Sequence, residues 1–258
     1  MILNYDCMSL LIVIPAYNEE RRIERALAMY SGTIAKKYGD SLRVVVVSDG
    51  TDGTEGIVRR FAKTSRWLSI VQYDHKLGKG GAVIEGLRLL CREAKPDDII
   101  GFLDADGAVD GNEAIRLVGY VESGKTDCVV ASRYMKGSRI LGGAHRGSLR
   151  RTVGVLYGKV TSMMFGFHLS DTQCGAKFFR VRIIKKILKN LYVLDGSIDL
   201  NILYEVKREG HSFMEVPIVY HDFSGGMKLR YYRIFKILAA YRIRTLLGLG
   251  PKKGFIAR

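Results

Sequence analysis

The sequence predicts an α/β fold, a doubly wound and mostly parallel sheet with helices between its strands. Short apolar runs rich in Val, Ile and Leu alternate with longer segments of helical periodicity, and most of these runs end in a polar loop. With 258 residues, of which 47% are hydrophobic, the chain is long enough for a large core. In such a sheet the strand-to-helix loops lie along one edge, so these polar loops should meet in one cleft.

Five short runs in the first half of the chain are predicted as strands, at residues 9–14, 43–48, 68–73, 99–103 and 127–132. The run RVVVVS at 43–48 is typical, because β-branched side chains favour strands. Helices are predicted between them, over residues 19–38, 54–63, 82–93 and 111–123. These segments combine good helix formers with apolar residues at helical spacing.

The pattern changes after residue 133. Residues 133–147 form a basic, glycine-rich loop that is too long for an ordinary connection, and loops of this length are often functional. The elements predicted after it are helices at 149–165, 182–189 and 198–209, strands near 177–181 and 213–220, and an amphipathic basic helix at 227–247. We therefore expect an α/β domain over residues 1–225 and a basic, amphipathic tail over 226–258.

The most informative loop follows the apolar run IIGFL at 99–103. It begins with Asp104 and Asp106, and residues i and i+2 of an extended chain point the same way. Two carboxylates at the end of a buried strand are suited to hold a divalent cation on oxygen ligands. A solvated turn is the alternative interpretation, since Asp and Gly are common in turns.

Two further loops carry polar groups that suit a nucleotide. Gly78-Lys79-Gly80-Gly81 opens a helix, so its amides and the Lys79 charge could hold a phosphate, although a plain tight turn also explains it. Asp49 and Asp52 follow the second strand, where a carboxylate can accept hydrogen bonds from a ribose or a base. No G-x-G-x-x-G follows the first strand, which argues against a dinucleotide site. The set favours a nucleoside diphosphate with a bound metal.

The charge of the chain points to a polyanionic partner. The formal net charge is +15, and residues 111–258 hold the whole excess, with 26 basic against 10 acidic residues. Such asymmetry is typical of proteins that bind nucleic acid or an anionic membrane. The basic tail lacks a recognised nucleic-acid motif, so we expect the membrane surface and no nucleic acid.

Targeting and redox patterns predict a peripheral protein on the cytoplasmic face of a membrane. The four cysteines are scattered and are expected to be reduced core thiols. The N-terminus lacks the pattern of a signal peptide. The apolar segment 153–169 contains Lys159 and is shorter than a spanning helix, so it is predicted to lie in the interface. An ordinary core helix is the alternative.

The motifs taken together resemble those of family 2 glycosyltransferases with the GT-A fold. They are, in order, IPAYNEE at 14–20, SDGTDGT at 48–54, GKGGAV at 78–83, DADGA at 104–108, ASRY at 131–134 and DTQCGAKFF at 171–179. The last two are similar to the polyprenyl-phosphate branch, whose members transfer glucose or mannose to dolichyl phosphate. Each motif alone is weak, but their order along residues 9–225 is specific.

The resemblance implies an enzyme that uses a nucleotide-sugar donor and Mg²⁺ or Mn²⁺. The residues implied to surround the nucleotide are Pro15, Tyr17, Glu19, Asp49 and Lys79. Asp104 and Asp106 are implied to bind the metal on the donor diphosphate. UDP-glucose is the preferred donor and GDP-mannose is possible, because residues 171–179 look more like the glucosyl than the mannosyl branch.

The resemblance also implies an acceptor site for a polyprenyl phosphate. Arg133, Ser138 and Arg139 would meet the acceptor phosphate. The implied catalytic residues are Asp104, Asp106, Arg133 and Asp199. Asp199 is expected either to act as a base or to hold sugar hydroxyls. A phosphate monoester is mostly dianionic at neutral pH and needs no strong base for a single, inverting displacement.

The sequence departs from the family pattern in two places. The second motif begins with Ser48 and is one residue short, and Ala108 stands where mannose synthases tend to carry a Gln near the metal. The third protein ligand of the metal is therefore open. Two other functions compete: transfer to a sugar hydroxyl, which would need Asp199 as a base, and a basic α/β module that binds nucleic acid.

Overall fold

The structure, a computed structural model, describes residues 8–142 and 147–223, together with Ile243, Leu246 and Leu247. Apart from those three residues, the predicted tail over 226–258 and its amphipathic helix lie outside the described residues. The predicted domain boundary therefore stays a prediction.

The strands form one large sheet and one small one. Their bounds are β1 (Leu10–Ala16), β2 (Leu42–Ser48), β3 (Leu68–Gln72), β4 (Ile99–Leu103), β5 (Cys128–Ser132), β6 (Arg139–Gly142), β7 (Ala176–Arg180), β8 (Met214–Pro217) and β9 (Val219–Asp222). The large sheet has the order β3-β2-β1-β4-β7-β5-β8, and β6 pairs with β9 in the small sheet. All pairs are parallel except those of β7, so the predicted α/β, mostly parallel fold is confirmed.

Helices connect most of the strands. They are α1 (Ile23–Tyr30), α2 (Lys36–Tyr38), α3 (Thr54–Ala62), α4 (Gly78–Cys91), α5 (Gly111–Glu122), α6 (Gly147–Phe165), α7 (Val181–Ile187) and α8 (Ile198–Arg208). The single helix predicted over 19–38 is divided, because a wider π turn over Ser31–Ala35 separates α1 from α2. The strand predicted over 213–220 is also divided: Ile218 leaves the large sheet, and its carbonyl accepts a hydrogen bond from Arg139 N at 3.0 Å.

Two apolar layers enclose the large sheet. On β1, Leu10, Ile12 and Ile14 pack on one side with α1, α3 and α5, while Leu11 and Val13 pack on the other with α4, α7 and α8. The alternation follows from the period of two along a strand, so β1 is buried on both faces. Burying one such side chain stabilises the fold by about 1.5–3 kcal/mol.

Strand β7 departs from its neighbours in direction. It lies between β4 and β5 and is antiparallel to both, with Leu103 opposite Ala176 and Ile99 opposite Arg180. The residues that precede β7 therefore arrive at the edge where β4 and β5 end. This reversal brings the motif at 171–175 beside Asp104.

Helix α6 has one buried face and one exposed apolar face. Tyr157 and Phe165 pack against a small cluster that includes Leu200 and Leu203. Leu156 and Met163 point outward and are 59% and 79% exposed. No helix among the described residues combines the length and apolar character needed to cross a bilayer.

Candidate active site

The polar loops converge, as predicted, on a cavity of about 340 Å³ at the carboxyl ends of the central strands. Its wall contains every residue predicted for the nucleotide and the metal, and Arg133. Those residues are Pro15, Tyr17, Glu19, Asp49, Lys79, Asp104, Asp106 and Arg133. The rest of the lining, on the side of Arg133 where the sequence predicts the acceptor phosphate, is called the acceptor-side wall; it contains Tyr134, Tyr157, Asp171, Gln173 and Tyr220.

The two acidic residues after β4 lie side by side in this wall. Asp106 accepts a hydrogen bond from Ala108 N at 3.0 Å. Burial and the nearby charge of Asp104 raise the pKa of Asp106. Burial also tends to raise the pKa of Asp104, but the cations Lys79, Lys177 and Arg133 hold it below its usual value. The pair is thus a negatively charged site already partly neutralised by a lysine.

Lys79 supplies that neutralising charge. Its Nζ lies 2.9 Å from Asp104 Oδ1 and 3.4 Å from Asp199 Oδ2. Burial lowers the pKa of Lys79, but the two carboxylates outweigh burial and raise it above its usual value. Lys79 therefore remains an ammonium ion bridging two acids at the base of the cavity.

Asp199 stands behind Lys79 and does not line the cavity. Its side chain is 0% exposed, and it forms a buried ion pair with Lys177, which is also 0% exposed. Lys177 Nζ donates a further hydrogen bond to Cys174 O at 2.7 Å. The Asp199 carboxylate is thus enclosed by two lysines beneath the cavity wall, and its predicted role as a base or in holding sugar hydroxyls stays a prediction.

Arg133 forms a buried ion pair with Asp171. Its backbone N, Nε and Nη2 donate to the two carboxylate oxygens at 3.0, 2.7 and 3.0 Å. Burial raises the pKa of Asp171, but Arg133 outweighs burial and lowers it. The guanidinium carbon also lies 5.4 Å from the centre of the Tyr220 ring. Arg133 is therefore held rigidly in the cavity wall.

The loop after β1 is fixed to the loop after β2 by reciprocal hydrogen bonds. Asn18 Oδ1 accepts from Thr51 N at 2.9 Å, and Glu20 Oε2 accepts from Gly53 N at 2.9 Å. Glu19 N donates to Thr54 Oγ1 at 2.8 Å. Asn18 has a positive φ of 56°, which Asn tolerates better than most residues. These bonds hold Tyr17 and Glu19 at the mouth of the cavity.

Asp49 and the glycines of α4 fix a neighbouring turn. Asp49 Oδ2 accepts from Leu77 N and Gly78 N at 2.7 and 2.8 Å. Gly80 N and Gly81 N donate to Leu194 O at 3.0 and 3.3 Å. These three glycine amides bind protein oxygens, so the phosphate cradle considered for residues 78–81 is not formed by them. The glycines are needed for close packing, since a Cβ on Gly80 would lie 2.0 Å from Val193 O.

Ser138 and Arg139 are not among the residues that line the cavity. Ser138 Oγ donates to Ser132 O at 2.7 Å and closes the turn after β5. Arg139 begins β6 and is exposed. Their predicted contact with an acceptor phosphate stays a prediction.

Sequence reasoning missed several residues of the acceptor-side wall. Gln173 Nε2 is buried and has no hydrogen-bond partner among the described residues. Burial raises the pKa of Tyr220. Gly175 is also required here, because a Cβ would lie 1.9 Å from Asp104 Oδ2. The motif DTQCG carried the signal for Gln173 and Gly175, but Tyr220 lies on a strand with no motif.

The family of the chain follows from a match along most of its described length. A family model described as "Glycosyl transferase family 2" matches residues 11–188. The chain belongs to glycosyltransferase family 2.

Curated relatives of this family 2 glycosyltransferase confirm the resemblance to the polyprenyl-phosphate branch. A protein of Saccharomyces cerevisiae named dolichyl-phosphate beta-glucosyltransferase is 29% identical over 92% of this chain and 75% of its own length. A protein of the same name from Dictyostelium discoideum is 26% identical over 95% of this chain and 77% of its own length.

Solved structures share the fold of this glycosyltransferase. S. aureus TarS 1-349 in complex with UDP-GlcNAc has a TM-score of 0.61 at 16% identity, over 92% of this chain and 67% of that one. The mannosyltransferase PcManGT from Pyrobaculum calidifontis, in complex with GDP-Man and Mn²⁺, has a TM-score of 0.55 at 21% identity, over 95% and 65%. These neighbours confirm the predicted GT-A fold.

The residues of the site fit a divalent ion that is completed by a ligand. Asp104 and Asp106 offer hard carboxylate oxygens in one cavity, and burial together with the charge of Asp104 raises the pKa of Asp106. Within residues 8–142 and 147–223, no three His, Cys, Asp or Glu side chains cluster as a complete metal site. Two protein carboxylates leave coordination positions for diphosphate oxygens, which is a common arrangement for Mg²⁺.

Proposed function

We propose that this glycosyltransferase moves glucose from UDP-glucose to a polyprenyl phosphate with inversion at the anomeric carbon. The observation that carries the proposal is one cavity that joins a carboxylate pair to a rigid arginine, Arg133. The relatives named dolichyl-phosphate beta-glucosyltransferase support the acceptor class and the sugar.

The donor binds between the β1 and β2 loops and the carboxylate pair. Tyr17 is 48% exposed at the cavity mouth, and its ring is available to stack on a base. Lys76 Nζ lies 4.2 Å from the centre of that ring, which adds positive charge beside the nucleotide. The solved neighbours that bind UDP-GlcNAc or GDP-Man support this use of the site.

Asp104 and Asp106 would hold Mg²⁺ or Mn²⁺ on the donor diphosphate. The ion would supply positive charge against the charge that develops on the leaving diphosphate. The solved neighbour PcManGT, which is in complex with Mn²⁺, supports this assignment. Lys79, whose ammonium lies in the same cavity, adds to the positive field around the leaving group.

The acceptor phosphate attacks the anomeric carbon from the side of Arg133. Asp171 uses Nε and Nη2 of this guanidinium, so Nη1 remains outside that pair and is suited to orient a phosphate oxygen. A dianionic phosphate monoester carries its own nucleophilic oxygen and needs no proton removed. A sugar-hydroxyl acceptor with Asp199 as its base is less well supported, because Asp199 is buried beneath the cavity wall.

The acceptor lies in a bilayer, so we propose that the enzyme binds the cytoplasmic face of an anionic membrane. Helix α6 exposes Leu156 and Met163 beside the acceptor-side wall, and β6 exposes Ile140 and Leu141. The net charge of +15 supports attraction to anionic lipid, at about 1 kcal/mol for each basic residue near the surface.

A panel of UDP- and GDP-sugars, offered with a polyprenyl phosphate and Mg²⁺ or Mn²⁺, tests the proposal. We expect the lipid product to carry glucose from UDP-glucose. Asp104→Ala and chelation of the metal should each lower transfer by about 10²- to 10³-fold, the size expected when a principal charge-stabilising group is removed. Transfer that survives both changes would exclude the metal role, and a glycan product in place of a lipid product would favour the sugar-hydroxyl acceptor.

A further inference from the structure

Lys79 and a divalent ion would compete for the carboxylate of Asp104. Its Nζ is 2.9 Å from Asp104 Oδ1, which is a full ion-pair contact to one of the two proposed metal ligands. The side chains of Lys79 and Asp104 are 27% and 35% exposed, so their attraction is only partly screened by water. A divalent ion that binds Asp104 must weaken this contact, because two cations would otherwise face each other across one carboxylate.

Asp199 is a second carboxylate with which Lys79 can pair. Asp199 Oδ2 is 3.4 Å from Lys79 Nζ, and this oxygen is buried with no hydrogen-bond partner in the described part of the chain. Asp199 Oδ1 is occupied by Lys177. A displacement of less than 1 Å would turn the long contact into an ordinary charge-assisted hydrogen bond of about 2.8 Å. The buried acceptor oxygen would then be satisfied.

We propose that Lys79 is a counter-cation that pairs with Asp104 before the divalent ion binds and shifts to Asp199 when it does. Asp199 is then a positioning residue that acts through Lys79. This inference rests on the proposed metal site. It explains why a buried carboxylate with two lysine neighbours stands directly behind the carboxylate pair.

The exchange predicts opposite effects of two substitutions on metal affinity in the absence of donor. Lys79→Met removes the competing charge, so Mn²⁺ should bind more tightly, by about fivefold or more, because a unit charge about 4 Å away has an effect of that size even at the dielectric constant of water. The double variant Lys177→Met with Asp199→Leu removes the receiving acid and its buried partner together. Mn²⁺ should bind it more weakly, by on the order of threefold or more, because Lys79 then has only Asp104.

The double variant is chosen so that it folds. Removing only one member of a buried pair leaves an unpaired charge, whereas replacing both by apolar residues of similar size is often neutral. Lys125→Met is the matched control, since Lys125 lies over the Tyr120 ring, does not line the cavity and carries the same charge. Its Mn²⁺ affinity should stay within about twofold of the unchanged protein, because this charge is exposed to solvent and is screened.

The measurement is Mn²⁺ binding to the full chain by electron paramagnetic resonance, with circular dichroism as the check on folding. Tighter binding by Lys79→Met and weaker binding by the double variant are expected. Unchanged or weaker binding by Lys79→Met would overturn the exchange. If transfer depends on metal but Lys79→Met binds Mn²⁺ no more tightly, the exchange fails and the proposed function stands. If chelation leaves transfer intact and no protein binds Mn²⁺, the metal assignment itself fails.

Discussion

The two walls of the cavity are built differently. On the donor side, short loops after β1 and β2 are tied together by side chains that bind backbone amides, such as Asn18 to Thr51 and Asp49 to Gly78. On the acceptor side, one buried ion pair, Arg133 with Asp171, supports a wall of aromatic rings. The structure of the donor wall therefore depends on many weak hydrogen bonds, and that of the acceptor-side wall depends on one strong ion pair. Single substitutions in the two walls should therefore differ in their effects on stability and activity.

The largest effect is expected from Asp171→Asn. The change leaves the Arg133 guanidinium buried without a charged partner, which costs about 3–5 kcal/mol in the free energy of unfolding. Urea denaturation measures the loss. Binding of UDP, measured by calorimetry, should change by less than about twofold relative to the unchanged protein if the donor wall is independent, as sites without shared partners usually are.

Asp127→Asn is the matched control for that loss. Asp127 pairs with Arg182, but their side chains are 36% and 39% exposed, so removing the charge should cost no more than about 1 kcal/mol. Equal losses at the two positions would contradict the special role of the buried pair.

The same ion pair predicts a dependence of stability on pH. Burial raises the pKa of Asp171, but Arg133 lowers it by more, so the folded pKa lies below the unfolded value of about 3.9. The stabilisation is complete above the unfolded pKa and is lost as the pH falls through the folded pKa. The unfolding free energies of the unchanged protein and Asp171→Asn should therefore converge below about pH 4.

An intermediate effect is expected from Gln173→Leu. The buried Nε2 of Gln173 has no partner among the described residues and faces the wall of the cavity, so we expect it to donate to a sugar hydroxyl. Loss of that bond should lower kcat/KM for the donor by about ten- to a hundredfold, which corresponds to the usual cost of an unpaired buried group. Steady-state kinetics measures it.

Gln72→Leu, on the donor side of the sheet, is the substitution to compare with Gln173→Leu. Gln72 Nε2 donates to Gly50 O and Tyr73 O at 2.9 and 3.0 Å, so its loss should lower thermal stability. Gln173→Leu should leave thermal stability unchanged or higher. A Gln173→Leu enzyme with normal kinetics would remove Gln173 from the sugar site.

The smallest effect is expected on membrane binding. Met163→Glu places a negative charge on the exposed apolar face of α6 and should weaken binding to anionic vesicles about three- to tenfold, the size of one to two unfavourable charge contacts. Co-sedimentation measures it. Thr64→Glu adds the same charge before β3, at the far edge of the sheet from β8, and should have little effect. Equal effects would show that only net charge matters.

The sequence was enough to bring the donor-wall residues together, whereas on the acceptor side it indicated Arg133 but not its pairing with Asp171. Asp49, Asp104 and Asp106 follow buried strands directly, so the alternation of strands and helices was enough to bring them together. Arg133 and Asp171 are 38 residues apart, and their pairing depends on the reversed direction of β7. No local pattern indicated that reversal.

The surroundings of Asp199 could not be predicted from the sequence either. The family resemblance suggested that Asp199 reaches a substrate, but tertiary packing turns its carboxylate toward Lys177 and Lys79. Lys177 lies on β7, next to β4. Nothing in the sequence indicated that this lysine is buried, because lysine is usually exposed. Buried ion pairs between distant residues are therefore the part of this site that a single sequence hides.

The buried ion pair between Lys177 and Asp199 also bears on the register of the large sheet. Lys177 is the second residue of β7, the strand that runs against both neighbours, and it lies opposite Phe102 on β4 and Val130 on β5. A slip of β7 by one residue would turn this ammonium to the other face of the sheet, away from Asp199. The ion pair of Lys177 with Asp199 thus favours one register of β4, β7 and β5, because any other register would bury the ammonium without a charged partner.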